Sequence, residues 1–334
     1  MINLSPTNNI LSRRYRGQRV VLIVPCYNEE AAIAQVVQSF RAALPELDIH
    51  VYDNCSTDRT AEVARAAGAR VTTVPLRGKG NVVRRMFADT EADLYVMVDG
   101  DATYQANAVR ELINKLLDDQ LDMVVGCRVT PEKEAGMAYR RGHQWGNRML
   151  TQSVRSIFGG QFTDMLSGYR VFSRRYVKSF PALAQGFETE TELTVHALQL
   201  RMPYGEVSTA YGARPAGSES KLSTYRDGWR ILRTVARLFI SEKPFTFFGI
   251  MAALLALLSL GLAAPLLIDY LHTGLVARLP TAVLCASLMM SAMLAFACGL
   301  ILDNVARGRH ETKRLAYLSI PAPGAAGPSG VDVP

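Results

Sequence analysis

Asp99-Gly100-Asp101 sets two carboxylates one residue apart at the end of the apolar run Leu94-Tyr95-Val96-Met97-Val98. Carboxylates this close repel each other unless a cation or a hydrogen-bond donor neutralises them. A hard divalent cation carrying phosphate oxygens is one such neutraliser. A solvated strand-end turn, to which Asp and Gly are both suited, is the plainer alternative. Two further polar turns lie upstream, Pro25-Cys26-Tyr27-Asn28-Glu29 and Asp53-Asn54-Cys55-Ser56-Thr57-Asp58. Of their residues, Ser56 and Asp58 read mainly as helix caps. Lys79 stands between Gly78 and Gly80, where backbone can approach an anion and the ammonium can meet it; a solvated lysine is the alternative.

The elements that must carry these turns follow from pattern. Apolar, β-branched runs at 19–24, 49–53, 70–74, 94–99 and 122–126 read as strands. Helical stretches separate them, including one ending near Leu44, one starting near Arg59 and one at 107–118. Alternation of this kind predicts an α/β domain with a mainly parallel sheet. Ligands of such sheets bind beyond the carboxyl ends of the strands, where the turns after the first, second and fourth strands converge. Residues 128–222 are less regular. They hold a helix at 141–158, a strand at 169–172, a helix at 189–200 and a Gly-, Pro- and Ser-rich basic loop at 211–221.

The remainder of the chain has a different character. Arg226, Arg230, Arg233 and Arg237 recur on one helical face, with Trp229, Leu232, Val235, Ala236 and Phe239 on another. This fits a helix lying on a lipid surface with its arginines toward phosphates. Residues 245–268 and 279–302 carry no charge and are each long enough to cross a bilayer. The flanks on both sides are rich in Lys and Arg, which predicts that they share the cytoplasmic side. The expected organisation is a polar arm at 1–18, an α/β domain at 19–222, an interfacial helix at 223–243, a two-span hairpin at 244–303 and a partly disordered tail at 304–334.

Composition agrees. The 334 residues are 49% hydrophobic and 20% charged, with a net charge of +7. The excess of basic residues beside apolar stretches points to membrane lipids or phosphate ligands, and no aromatic-and-basic module suggests nucleic acid. Cys26, Cys55, Cys127, Cys285 and Cys298 are scattered and odd in number, so neither a disulfide framework nor a zinc site is implied. No signal peptide is expected in the polar, basic first 18 residues.

Taken together and in order, Val24-Pro25-Cys26-Tyr27-Asn28-Glu29-Glu30, Asp53 to Asp58, Gly78-Lys79-Gly80 and Asp99-Gly100-Asp101 resemble the successive signatures of inverting family-2 glycosyltransferases of the GT-A fold. Ser167-Gly168-Tyr169-Arg170 and the loop ending Ser218-Glu219-Ser220-Lys221-Leu222 resemble the polyprenyl-phosphate branch, typified by dolichyl-phosphate mannose synthases. The resemblance covers about residues 19–222. It implies a Rossmann-like GT-A domain and a nucleotide-sugar donor, UDP-linked in preference to GDP-mannose. Pro25, Tyr27, Asn28, Glu29, Asp53, Asn54, Lys79, Asp99 and Gly100 would bind that donor. Asp101, with Asp99 and Thr103, would hold Mg2+ or Mn2+. Thr103 stands where the branch often has a Gln.

The implied acceptor is a polyprenyl phosphate such as undecaprenyl phosphate. Arg128, Arg140, Arg141, Arg214 and Lys221 would meet its phosphate, because bringing two anions together demands cations. Glu188, Glu190 and Glu192 open a helix, where carboxylates favour the helix dipole. Glu190 is the candidate sugar contact, and Glu190 or Glu192 would be the base if the acceptor were instead a glycan or lipid hydroxyl. A non-catalytic nucleotide-sugar-binding membrane protein is a further alternative. The sequence speaks against a dinucleotide oxidoreductase, because no GxGxxG follows the first strand. The expected setting is a bacterial inner membrane with the catalytic domain cytoplasmic, and a homo-oligomer is compatible with the sequence.

Overall fold

The computed structural model describes residues 14–129, 151–184, 186, 188–212, 214–215, 233, 235–237, 239–276 and 278–324. Several expectations therefore lie outside the described residues. These are the start of the polar arm, the first part of the 141–158 helix with Arg140 and Arg141, the loop end with Lys221, most of the interfacial helix and the last ten residues. The chain forms two compact units, Met1–Leu232 with Lys313–Pro334, and Arg233–Thr312.

The first unit is built on one sheet. Its strands are β1 (Arg14–Tyr15), β2 (Gln18–Cys26), β3 (Asp48–Asp53), β4 (Arg70–Thr73), β5 (Leu94–Met97), β6 (Met123–Val129), β7 (Arg170–Ser173) and β8 (Tyr204–Ala210). The order across the sheet is β4-β3-β2-β5-β7-β6-β8, with β1 paired to β2 as a short hairpin. Four pairings are parallel: β3–β4, β2–β3, β2–β5 and β6–β8. The sheet is mixed because β7 runs antiparallel between β5 and β6. The chain leaves β6 at the carboxyl edge and re-enters β7 from that same edge, which gives the antiparallel sense.

Val20 to Val24 are at most 1% exposed, as a β-branched strand covered on both faces should be. The covering helices are α1 (Ile33–Ala43), α2 (Thr60–Ala66), α3 (Lys79–Asp89), α4 (Val109–Asp118), α5 (Arg174–Ser179) and α6 (Thr189–Leu200). Ile33, Val36, Val37 and Phe40 form the buried stripe of α1, and Val109, Leu112, Ile113 and Leu116 that of α4. This i, i+3, i+4, i+7 spacing is what seats a helix on a sheet. Strand β8 and the short helix α5 were not anticipated. In β8, Gly205, Glu206, Ser208 and Thr209 interrupt the apolar signal, and the strand lies at the sheet edge.

The last segment of the first unit is tied to it by named bonds. The Tyr317 hydroxyl donates to Asp122 at 2.8 Å, and the Arg175 guanidinium lies 4.7 Å from the Tyr317 ring centre. Lys313 donates to Gln199 at 3.0 Å.

The second unit contains α7 (Pro244–Thr273) and most of α8 (Leu279–Leu318). Both are long and apolar enough to span a membrane. Only 11% and 22% of their most apolar windows are buried, whereas a core helix would be mostly covered. Their seam uses small residues. Ser259 donates to the Cys285 carbonyl at 2.8 Å, and a Cβ on Gly299 would stand 3.0 Å from the Phe248 Cβ. Helix α8 runs well past residue 302, supported by the Asp303–Arg307 pair one turn apart.

Candidate active site

The turns after β2 and β3 are stitched together. Asn28 takes φ +53° and donates its backbone N–H to Ser56 Oγ at 2.9 Å. Its side-chain oxygen accepts the Thr57 N–H at 2.8 Å. The Glu29 N–H reaches Thr60 Oγ1 at 2.8 Å, and Glu29 is buried. The Arg77 guanidinium lies 5.7 Å from the Tyr27 ring centre. Asp53 is buried, and its Oδ1 has no hydrogen-bond partner among the described residues. A buried acceptor of this kind calls for a donor beyond the described residues, from water, a ligand or another part of the chain.

Asn54 has a structural task. Its Oδ1 accepts the Gly78 N–H at 2.7 Å, and its Nδ2 donates to the Val74 and Leu76 carbonyls at 3.2 and 2.7 Å. It thereby clamps the turn into α3, at whose first position Lys79 sits. Gly78 adopts φ +122°, which L side chains rarely take. The Lys79 ammonium lies 2.5 Å from Asp99 Oδ1 and 2.5 Å from Glu190 Oε1. Burial pulls its pKa down, but the charges and hydrogen bonds of Asp99 and Glu190 outweigh burial and hold it well above the usual lysine value.

Asp99 is seated by a missing side chain. A Cβ on Gly168 would collide with the Asp99 carboxylate, and the Gly168 N–H is fixed by the Tyr104 hydroxyl at 2.9 Å. Gly100 has the same logic, since a Cβ there would meet Cys26 Sγ.

Asp101 is oriented by its neighbour and neutralised by a distant residue. Thr103 donates to Asp101 Oδ1 through its hydroxyl at 2.6 Å and its N–H at 3.2 Å. Arg214 lies 2.8 Å from Asp101 Oδ2. The approach of Arg214 is set by the β-bridge between Tyr104 and Tyr211 and by the Gly212 N–H bonding to the Thr103 carbonyl at 2.9 Å.

Arg128 forms a two-pronged pair with Asp164, both contacts at 2.7 Å, and lies 5.6 Å from the Tyr211 ring centre. Glu192 is spent on the backbone, accepting from Leu183 and Ala184 at 2.9 and 2.8 Å, and burial raises its pKa. Arg170 is fully buried. It donates to the Ser167 and Met165 carbonyls, to Thr194 Oγ1 and to the Glu190 carbonyl, so it ties the 165–168 loop to the start of α6.

The structure thus joins Lys79, Asp99 and Glu190 in one cluster and Asp101, Thr103 and Arg214 in another. Arg140, Arg141 and Lys221 lie outside the described residues. Sequence reasoning did not single out Asp164 or Tyr104. For Arg170 a signal existed, since an arginine opening the apolar run Val171-Phe172 needs buried partners.

Among the described residues, Asp101 is the carboxylate that a divalent cation would suit. Among the described residues no group of three or more His, Cys, Asp and Glu could hold a metal by itself. Asp101 Oδ2 is a hard oxygen already facing a cation of the chain's own, Arg214, which marks the position as suited to positive charge. A metal there would need phosphate oxygens to complete its shell. Asp99 is paired with Lys79 as Asp101 is with Arg214, and the Thr103 hydroxyl donates to Asp101 Oδ1.

Residues 21–180 match the family model described as glycosyl transferase family 2. Glycosyltransferase AglJ of Haloferax volcanii is 34% identical over 245 residues, covering 73% of this chain and 80% of its own length. A dolichyl-phosphate hexose transferase of the same organism is 25% identical over 230 residues, covering 69% of this chain and 97% of its own. Among solved structures, glucosyl-3-phosphoglycerate synthase from Mycobacterium tuberculosis in complex with Mn2+ and UDP-glucose is similar with a TM-score of 0.53 and 26% identity, covering 67% of this chain and 79% of that one.

Proposed function

The chain belongs to glycosyl transferase family 2, and from that premise we propose that it moves a hexose, with inversion, from a UDP-sugar to a polyprenyl phosphate at the cytoplasmic face of a bacterial inner membrane. The observation that carries the choice of acceptor is the state of the two candidate bases. Glu190 is bound by the Lys79 ammonium and Glu192 by two backbone N–H groups. A hydroxyl acceptor needs a general base to take its proton, and Glu190 and Glu192 are the candidates for it here. A phosphate monoester is already ionised near neutral pH, so its oxygen attacks the anomeric carbon without one.

The donor's base and ribose would lie against Pro25 and Tyr27, with Asp53 Oδ1 and Glu29 accepting their hydrogens. Asp101 would hold a divalent cation, which supplies Lewis-acid stabilisation of the departing nucleoside diphosphate. Thr103 keeps the Asp101 carboxylate turned for that task. Arg128 and Arg214, with Arg140, Arg141 and Lys221, would compensate the charge of the incoming phosphate. Asp164 presets the plane of the Arg128 guanidinium. A relative described as a dolichyl-phosphate hexose transferase supports a lipid phosphate acceptor, a neighbour solved with UDP-glucose supports a UDP donor, and two long apolar helices support membrane attachment.

The test is a screen of nucleotide sugars with undecaprenyl phosphate and Mn2+ in detergent, comparing wild type with Asp101→Asn. Transfer by wild type that falls ~100-fold or more in Asp101→Asn is expected. Transfer unaffected by that substitution and by EDTA would refute the metal assignment.

A further inference from the structure

Lys79 has the setting of a phosphate ligand, between two glycines at a helix start, but its surroundings give the ammonium other work. Its side chain is only 12% exposed, and that of Glu190 only 6%. The three groups come from elements far apart in sequence: the start of α3, the residues after β5 and the start of α6. Each is fixed independently of the others. Asn54 clamps the turn that carries Lys79. Gly168 and Tyr104 confine Asp99. Arg170 and Thr194 hold the Glu190 carbonyl. The ammonium sits where these three fixed points meet.

The geometry points to Lys79 as a positioning residue, a buried brace that bridges Asp99 and Glu190, offsets their repulsion and sets their spacing, and not as a ligand of the donor's diphosphate. Both carboxylate oxygens touch the same nitrogen, so they lie close together. If the ammonium turned away to meet phosphate, the buried Glu190 carboxylate and the 30%-exposed Asp99 carboxylate would face each other without a counter-charge. Removing one partner of a buried ion pair is strongly destabilising because the other charge stays behind. An arriving diphosphate would add further negative charge beside them. Lys79 therefore serves donor binding without contact, by cancelling one of the two negative charges on that wall of the site. Glu190 in turn is held in place by Lys79. The ligand part of this inference rests on the donor reading above; the stability part rests on the geometry alone.

The test uses the full-length chain in detergent as Lys79→Met, Glu190→Gln and the double variant. Thermal unfolding is measured for each, with UDP binding in the presence of Mn2+ by calorimetry. Lys79→Met is expected to melt lower than wild type. Adding Glu190→Gln removes the surplus negative charge and is expected to restore at least half of that loss. The double variant is expected to bind UDP within about fivefold of wild type. If Lys79→Met does not fold at all, the double variant should still fold. A double variant that recovers less than half of the melting loss, or that does not fold, overturns the inference. So does one that melts normally but binds UDP worse by more than about fivefold, since Lys79 would then be a diphosphate ligand. Wild type that fails to bind UDP would count against the donor reading, and the melting series would still decide on the brace.

Discussion

Two apolar stretches of this chain meet opposite surroundings. In β2, Val21, Leu22, Ile23 and Val24 are wholly buried, covered by helices on both faces of the sheet. In α7, Leu254, Leu257 and Leu271 are 63%, 67% and 73% exposed. The strand hides its side chains inside the protein, and water drives it there. The helix satisfies its backbone internally and leaves its side chains to whatever surrounds it, which is the form a lipid solvent demands. The comparison teaches that apolar composition alone does not locate a segment; the period and the length of the run do.

Substitutions can break or sharpen this contrast. Leu22→Asp puts an unpaired charge into the sheet core, so the first unit should fail to fold. Loss of the cooperative melting transition by circular dichroism checks this, and a normal melt would break the comparison. Leu257→Asp should instead cost membrane insertion by about 3 kcal/mol while the nucleotide-sugar unit still binds UDP. Flotation with vesicles reads the first effect and calorimetry the second. A protein that floats as wild type does would contradict the lipid reading of α7.

Smaller effects sharpen the account of the site. Gly168→Ala drives a methyl group into the Asp99 carboxylate and is expected to lower turnover by about tenfold, at a cost of order 1–3 kcal/mol. Unchanged turnover would mean that the Asp99 position has slack. Tyr317→Phe removes the hydroxyl that donates to Asp122, and unfolding should become easier by about 1 kcal/mol with donor binding unchanged. Denaturant titration tests it, and a shift in UDP affinity would tie that segment to the site.

The turns that build the site were legible because each ends an apolar run with residues of fixed chemical meaning. Asp101 and Thr103 are neighbours in sequence, so their contact was within reach of local reasoning. The pairing of Lys79 with Glu190 was not, because the residues are far apart in the chain and only α3 and α6 bring them together. Asp164 was missed for the same reason, although it fixes Arg128. The antiparallel entry of β7 was hidden as well, since the alternation of strand and helix that signals parallel pairing stops after β6. In the second unit the runs 245–268 and 279–302 were plain from hydropathy. The charged continuation of α8 to Leu318 was not, because past residue 302 the apolar signal ends while the helix does not.

The central claim is that the nucleophile arrives already ionised. Wild-type protein with its UDP-sugar and Mn2+ can be offered two acceptors of the same chain length, undecaprenyl phosphate and undecaprenol, with the lipid product followed by chromatography. The account predicts a glycosylated phosphate and no product from the alcohol. Transfer to the alcohol, or transfer to the phosphate that collapses in Glu192→Gln while UDP binding stays normal, would contradict it.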